Sequence, residues 1–391
     1  MDKVRLGLIG GGPEAFIGQV HRYAAFMDNQ YQLVCGVFSR DQQKNHEAGE
    51  QLLDNSSRAY SSIHELIEKE SALPEAQRVE VIAIVTPNIS HFEFASAAIQ
   101  AGIHVFCEKP ATFTLAQSRQ LQQQLEQSPV LFGLAHTYIG YPLVQEARQR
   151  VIAGELGDIK KVVVEYSQDW LAAKLNNQDS KQGSWRLDPN MAGVSCCVGD
   201  IGVHAANLAE FICDMPITRI LADLASVEDN RQLDDDAAIL VRFKNNARGV
   251  LIASQISVGE ENNLSIRVYG SKAGLHWQQQ QPNSLRIMPG DQPAQEIRTG
   301  FDYLSDEAKR FTRTPAGHPE GYIEAFANLY SAFADAVKRA RTHSVKHSNA
   351  NGVPGITEAL AGMQFIESSV KSSQSGNQWL ALDTFDPGSN K

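Results

Sequence analysis

The run Gly10-Gly11-Gly12-Pro13-Glu14-Ala15-Phe16-Ile17-Gly18 has the make-up of a turn that meets phosphate. Glycines let a backbone bend sharply and approach a pyrophosphate, whose charge is then held by free N–H groups at the start of a helix. Taken strictly the pattern is GxGxxA, from Gly10 through Gly12 to Ala15; taken with three inserted residues, Gly18 stands in the third glycine's place. Gly10, Gly12, Ala15, Phe16, Ile17 and Gly18 are therefore the expected dinucleotide contacts. A further contact is expected at Ser39-Arg40-Asp41. A carboxylate there would bond the ribose 2′-OH of NAD, whereas arginine beside a small hydroxyl residue suits the 2′-phosphate of NADP. Ser39 and Arg40 come first and Asp41 one step later, an order that favours NADP over NAD as the cofactor.

A phosphate turn works only between a strand and a helix, and the flanking pattern supplies both. Apolar runs at 4–9, 31–38, 79–85 and 104–106 alternate with amphipathic stretches at 15–27, 63–69 and 92–101, the βαβ rhythm of a parallel sheet covered on both faces. Near residue 135 the rhythm changes. A helix is expected over 143–153, then β-rich runs at 161–167, 217–227, 237–243, 247–258 and 264–269, with Asn245-Asn246 as a hairpin turn. Helices follow at 322–340 and 356–372, and the Ser-, Asn- and Gly-rich 344–355 reads as a loop. The expected fold class is α/β followed by α+β: a Rossmann doubly wound parallel sheet over 1–135, then a substrate-binding and oligomerisation domain with an open, mainly antiparallel sheet over 136–391.

Composition narrows the partners. With 35 Lys+Arg against 45 Asp+Glu the formal charge is −10, the wrong sign for holding a nucleic-acid backbone by bulk electrostatics. No apolar run approaches the roughly 20 residues that span a bilayer, and the N-terminus has no signal-peptide pattern. No nucleic acid, no membrane and a cytoplasmic location are the expectations. The five cysteines, Cys35, Cys107, Cys196, Cys197 and Cys213, are odd in number and contain no CxxC pair, so neither a disulfide framework nor a structural zinc site is indicated.

Two further stretches are Thr86-Pro87-Asn88 with His91, and Glu108-Lys109-Pro110. The second domain contributes Trp185-Arg186-Leu187-Asp188-Pro189 and then Gly193 to His204, ending Gly199-Asp200-Ile201-Gly202-Val203-His204. With the glycine turn, these resemble the Gfo/Idh/MocA family of NAD(P)-dependent oxidoreductases, with its EKP, W-R-x-D and G-D-I-G-x-H motifs, over essentially the whole chain. The resemblance implies that Lys109, Asp200 and His204 form the catalytic group and that Thr86, Pro87, Asn88, His91, Glu108 and Lys109 line the cofactor. Physical chemistry agrees on the catalytic residues. Asp200 and His204 are four apart and share a helix face; a carboxylate near an imidazole orients it and supports its protonated form. Lys109 follows a parallel strand, and its ammonium can stabilise a developing alkoxide. Val194, Cys196 and Cys197 replace small residues common in the family, and His136-Thr137-Tyr138 stands where relatives often carry an arginine. No metal is expected, because vicinal cysteines seldom point at one ion and the family chemistry uses none.

Lys109, Tyr138, Trp185, Arg186, Asp200, His204 and His318 are the candidate contacts to a sugar or polyol substrate. The expected reaction is hydride transfer between NAD(P) and a secondary hydroxyl or ketone of a sugar, cyclitol or related polyol. The alternatives are redox-assisted glycoside hydrolysis and a non-catalytic NAD(P) sensor. Apolar residues on both faces of 237–258 predict a homodimer or a homotetramer.

Overall fold

The computed structural model describes residues 3–172, 185–227, 231–342 and 352–385. Val4–Gly10 (β1), Tyr31–Val37 (β2), Val81–Val85 (β3), His104–Cys107 (β4) and Phe132–Leu134 (β5) form a parallel sheet in the order β2-β1-β3-β4-β5. Between them run Phe16–Met27 (α1), Gln42–Leu52 (α2), Ile63–Ser71 (α3), His91–Gln100 (α4) and Leu115–Glu126 (α5). The sequence VIAIV of β3 is buried at every position, as a strand covered on both faces requires. The chain turns one way from β1 to β2 and the other way to β3. Such a reversal leaves a crevice beyond the carboxyl ends of the two central strands, where doubly wound sheets bind ligands.

The first compact unit comprises Met1–Ala135 and Phe326–Leu360. Within it the described residues 326–342 and 352–360, assigned from the sequence to the second domain, pack instead with the parallel sheet. Aromatic burial is the cause: on β4 the Phe106 ring centroid lies 4.4 Å from that of Tyr330 and 5.4 Å from that of Phe333. The Leu134 amide also donates to the Pro354 carbonyl at 2.8 Å.

The second unit, His136–Ala325 with Ala361–Lys391, contains Pro142–Ile152 (α6) and Ile159–Ser167 (β6), and then Val203–Cys213 (α7). Strands Ile217–Ala225 (β7), Asp236–Phe243 (β8), Arg248–Ser254 (β9), Asn263–Gly270 (β10), Ala273–Gln278 (β11), Ser284–Pro289 (β12), Gln295–Arg298 (β13) and Leu380–Ala381 (β14) complete a sheet in the order β13-β12-β11-β10-β6-β9-β8-β7-β14. It is antiparallel except between β6 and β9. The Asn245-Asn246 turn joins β8 to β9, with Asn246 at φ 65°, a conformation asparagine tolerates. Cross-strand register sorts the two faces. Ala222, Ile239, Leu251, Val164, Ile266, Trp277, Leu285 and Ile297 form one continuous buried row, and α6 and α7 pack on this side. The helices Tyr322–Ala340 (α8) and Ile356–Gln374 (α9) match the helical stretches expected near the C-terminus. Most of the loop expected at 344–355 lies outside the described residues. Among the described residues, no helix is long and apolar enough to cross a membrane.

Candidate active site

In the first unit the site is made largely of backbone. Gly10 and Gly11 adopt φ of +80° and +65°, left-handed conformations that glycine takes without steric cost. A Cβ on Gly18 would lie 2.3 Å from the Gly11 Cα. Gly18 is therefore the residue that lets α1 press against the turn, the packing role of the third glycine in such motifs, while Ala15 is the helix N-cap. Side chains of Asp41, Ser62 and Thr114 cap α2, α3 and α5, whereas α1 has neither a side-chain cap nor an acidic residue in its first turn. That leaves the α1 N-terminus suited to an anionic group, and the turn fits a dinucleotide pyrophosphate.

At the end of β2, Asn45 on α2 accepts from the Phe38 amide at 2.7 Å and the Ser39 amide at 3.3 Å, fixing the strand end. The Asp41 carboxylate accepts from the Lys44 amide at 3.0 Å and so caps α2. Arg40 is exposed.

Thr86, Pro87 and Asn88 follow β3, and Glu108 and Lys109 follow β4, at the same carboxyl edge as the glycine turn. His91, expected beside the cofactor, is fully buried. Its ring nitrogens lie 2.8 Å from the Pro110 carbonyl and 2.7 Å from the Thr86 carbonyl, tying the two loops together. Burial draws its pKa down against the pull of those carbonyls. Glu108 is anchored inward: its carboxylate meets His21 Nε2 at 2.8 Å and accepts from the Lys109 amide at 3.1 Å. His21 Nδ1 in turn lies 2.6 Å from the Tyr330 hydroxyl. Although burial opposes charge on Glu108, the hydrogen bond and charge of His21, with Lys109 and His91, hold its pKa below the usual value.

In the second unit the site is made of side chains. Residues 198–202 form a π-helical turn that continues into α7, so Asp200 and His204 fall on consecutive turns of one helical segment. The segment is held from beneath by Asp234, which is buried and accepts from Ser195 Oγ at 2.9 Å, the Cys196 amide at 3.0 Å and the Val198 amide at 2.9 Å. Burial still raises its pKa, the three donors offsetting only part of the desolvation. Asp200 Oδ2 accepts from Gln255 Nε2 at 3.0 Å and faces Arg186 Nε at 3.4 Å. The Arg186 guanidinium lies 4.5 Å above the Trp185 ring, and that ring packs against a small apolar cluster containing Leu171, Cys196 and Leu233.

His204 Nδ1 is 3.3 Å from Nδ1 of His136. One proton fits between two such nitrogens, so if His204 holds it, His136 accepts it and the basic lone pair of His204 sits on Nε2. The Tyr138 ring stands edge-on to His204 at 4.9 Å. Its hydroxyl is bonded to the Tyr166 hydroxyl and accepts from Asn262 Nδ2 at 3.2 Å; Asn262 also takes a bond from Gln168 at 2.6 Å. Burial pushes both tyrosines' pKa values up, keeping them as hydroxyls. His318 is exposed, its Nδ1 3.3 Å from the Pro315 carbonyl. Its neighbours Glu320 and Gly321 line a cavity of 620 Å³ with Tyr141, Gln279, Asn283 and Tyr322. Cys196 and Cys197 are buried free thiols, with pKa values raised by burial.

Tyr166, Gln168, Asn262, Asp234 and Gln255 carry no sequence signal that marks them as site residues, and His136 stands out only as a departure from the arginine often found in relatives. They are ordinary polar residues scattered over the second unit, and only the alternation of β6 and the ends of β9 and β10 hint that they face one way.

A phosphate turn at the switch point of a two-sided parallel sheet, followed in the chain by an open sheet bearing an Asp–His helical turn, is the architecture of a dinucleotide-dependent oxidoreductase. Residues 4–136 match the oxidoreductase family model for the NAD-binding Rossmann fold, and residues 144–276 match the GFO/IDH/MocA C-terminal domain. The chain belongs to the Gfo/Idh/MocA family and is an NAD(P)-dependent oxidoreductase. It is 31% identical over 380 residues to the uncharacterized oxidoreductase YfiI of Bacillus subtilis (strain 168), covering 96% of each chain. The crystal structure of an inositol dehydrogenase homolog from Azotobacter vinelandii, complexed with NAD+, superposes with a TM-score of 0.92 at 33% identity, over 97% of this chain and 98% of that one. Levoglucosan dehydrogenase of Pseudarthrobacter phenanthrenivorans is 26% identical, over 82% of this chain and 83% of its own. Sugar and polyol dehydrogenases are thus among its relatives.

Proposed function

We propose that the protein oxidises a secondary hydroxyl of a sugar or cyclitol, with His204 as proton acceptor and Lys109 as the positive charge beside the reacting oxygen. The His136–His204 contact carries this reading: with the shared proton on His204 Nδ1, the basic lone pair of His204 lies on Nε2. A dinucleotide, when bound, supplies the hydride acceptor. Asp200, one turn before His204, places negative charge near the imidazolium that forms. Lys109 Nζ lowers the energy of the alkoxide as its proton leaves. Tyr138, Trp185 and Arg186 offer the ring faces and donors that polyol recognition uses.

Arg40 is exposed while Asp41 is occupied as a helix cap, which supports NADP as the preferred cofactor. The relative from Azotobacter vinelandii was solved with NAD+, so the choice in this chain turns on Ser39 and Arg40. Across β7, β8, β9 and β6 the outward row of the open sheet, Leu221, Leu240, Val250 and Val163, is apolar, with Leu240 40% exposed; beyond β6 it continues as Arg267, His276, Arg286 and Glu296. A homodimer would cover it, and light scattering that returned a monomer in dilute buffer would defeat that part. A screen of sugars and inositols with both cofactors, read by reduced-nicotinamide absorbance, tests the whole. Tight cofactor binding without turnover on any polyol would overturn it.

A further inference from the structure

Gln255 follows β9 and is fully buried. Its backbone is fixed at both ends: its amide donates to the Asp235 carbonyl at 2.9 Å, and its carbonyl accepts from the Leu171 amide at 2.9 Å. The side chain is fixed as well. Cys196 Sγ donates to Oε1 at 3.5 Å, and Nε2 donates to Asp200 Oδ2 at 3.0 Å. Turning the amide over would set its oxygen against the acceptor-only Asp200 carboxylate, so that neighbour fixes the orientation and the thiol completes it as donor to Oε1. We propose that Gln255 is a positioning residue for the dehydrogenase reaction, aiming the Asp200 carboxylate through the Nε2–H···Oδ2 bond. This rests on the proposed role of the Asp200–His204 pair.

Two donors converge on Oδ2, and they differ in kind. Arg186 is charged and its side chain is 21% exposed, open to being recruited by a substrate oxygen. Gln255 is neutral and sealed, so its bond persists whatever occupies the site. Around Asp200 stand Arg186, Cys196, Cys197, Tyr138 and Tyr166, and His204 follows one turn along the same helical segment. The thiols and phenols stay neutral because burial raises their pKa values. Arg186 is therefore the fixed cation of this group, and Gln255 supplies direction without adding charge.

Gln255→Met keeps the length and removes the donor. The expected result is a fall in kcat of about ten- to a hundredfold, the value of one hydrogen bond to a charged group, with dinucleotide affinity unchanged. The NMR titration of the His204 ring, recorded without substrate, should shift its midpoint in the same variant, since the carboxylate one turn before the ring is no longer held in place. Cys196→Ala approaches the amide from its other end; by removing the bond to Oε1, it should lower kcat about two- to tenfold, as expected for a neutral hydrogen bond. A role in packing alone would leave kcat and the His204 midpoint unmoved in Gln255→Met, and that result overturns the proposal. His204→Ala run alongside separates the two ideas: retained turnover there refutes the assignment of the base, while the ring titration of Gln255→Met still decides the role of Gln255.

Discussion

The two units build their functional edges from different materials. In the first unit the cofactor edge is backbone: two glycines at positive φ, a helix that starts without a side-chain cap, and loops locked by His91 through carbonyl groups. In the second unit the wall around His204 is a lattice of buried side chains drawn from residues 136 to 262, with Asp234 and Gln255 beneath it. Backbone sites tolerate change at most side chains but not at the glycines. Side-chain lattices fail through any member, because each buried polar group left alone costs its full desolvation.

The largest expected effect falls on the residues proposed for the chemistry. His204→Ala and Lys109→Ala should each lower kcat by about 100- to 10,000-fold with cofactor affinity little changed, and the double variant should lose far less than the product if both act on one transition state. Near-normal kcat in His204→Ala across the pH range would end this assignment.

Next comes Asp234→Ala, which strands three donors in the second unit. It should destabilise by about 3 kcal/mol or more and remove turnover while dinucleotide binding survives. Loss of cofactor binding in a protein that remains folded would show that the two units are not separable in this way.

The first unit has a pH sensitivity of its own. His104 on β4 accepts a hydrogen bond from the Leu131 amide at 2.8 Å, and burial draws its pKa down from 6.5 to about 4. As pH falls below 6.5, the unfolded chain takes up a proton that the folded one refuses, so stability is lost progressively down to about pH 4. The loss is at most about 3 kcal/mol. Denaturant midpoints of the protein and of His104→Asn between these pH values check it: the variant should show a shallower slope, the remainder belonging to groups such as the buried His91, and a slope unchanged in the variant would place the sensitivity elsewhere.

Arg40→Ala makes the smallest change. A charge-assisted bond to a 2′-phosphate contributes about 1.5 to 3 kcal/mol, so NADP affinity should drop by about one to two decades with NAD affinity nearly constant. Equal losses measured by fluorescence titration would remove Arg40 from cofactor choice.

Much of the first unit is legible in its amino-acid sequence. Its strands and its phosphate turn depend on residues close along the chain, and apolar runs such as VIAIV announce a buried parallel strand by themselves. The elements that stay hidden there have local causes: α2 (QQKNHEAGEQL) and α5 (LAQSRQLQQQLE) are so polar that their apolar periodicity is faint, and β5 spans three residues. In the second unit the strands between 273 and 298 give no clear pattern, being short and rich in polar residues.

What the sequence determined alone was the strand–helix alternation of the first unit and the glycine turn, because their meaning lies in spacing along the chain, together with Lys109, Asp200 and His204, singled out by resemblance to the family's motifs. Only the tertiary structure decided that Gly18 supplies the close approach of α1, that 326–342 and 352–360 return to the parallel sheet through Phe106, and that His136 and Gln255 meet His204 and Asp200. The reason is physical: a hydrogen bond between residues 55 or 68 positions apart is set by the packing of sheets and helices, and no local preference of a glutamine or a histidine encodes which partner that packing will deliver.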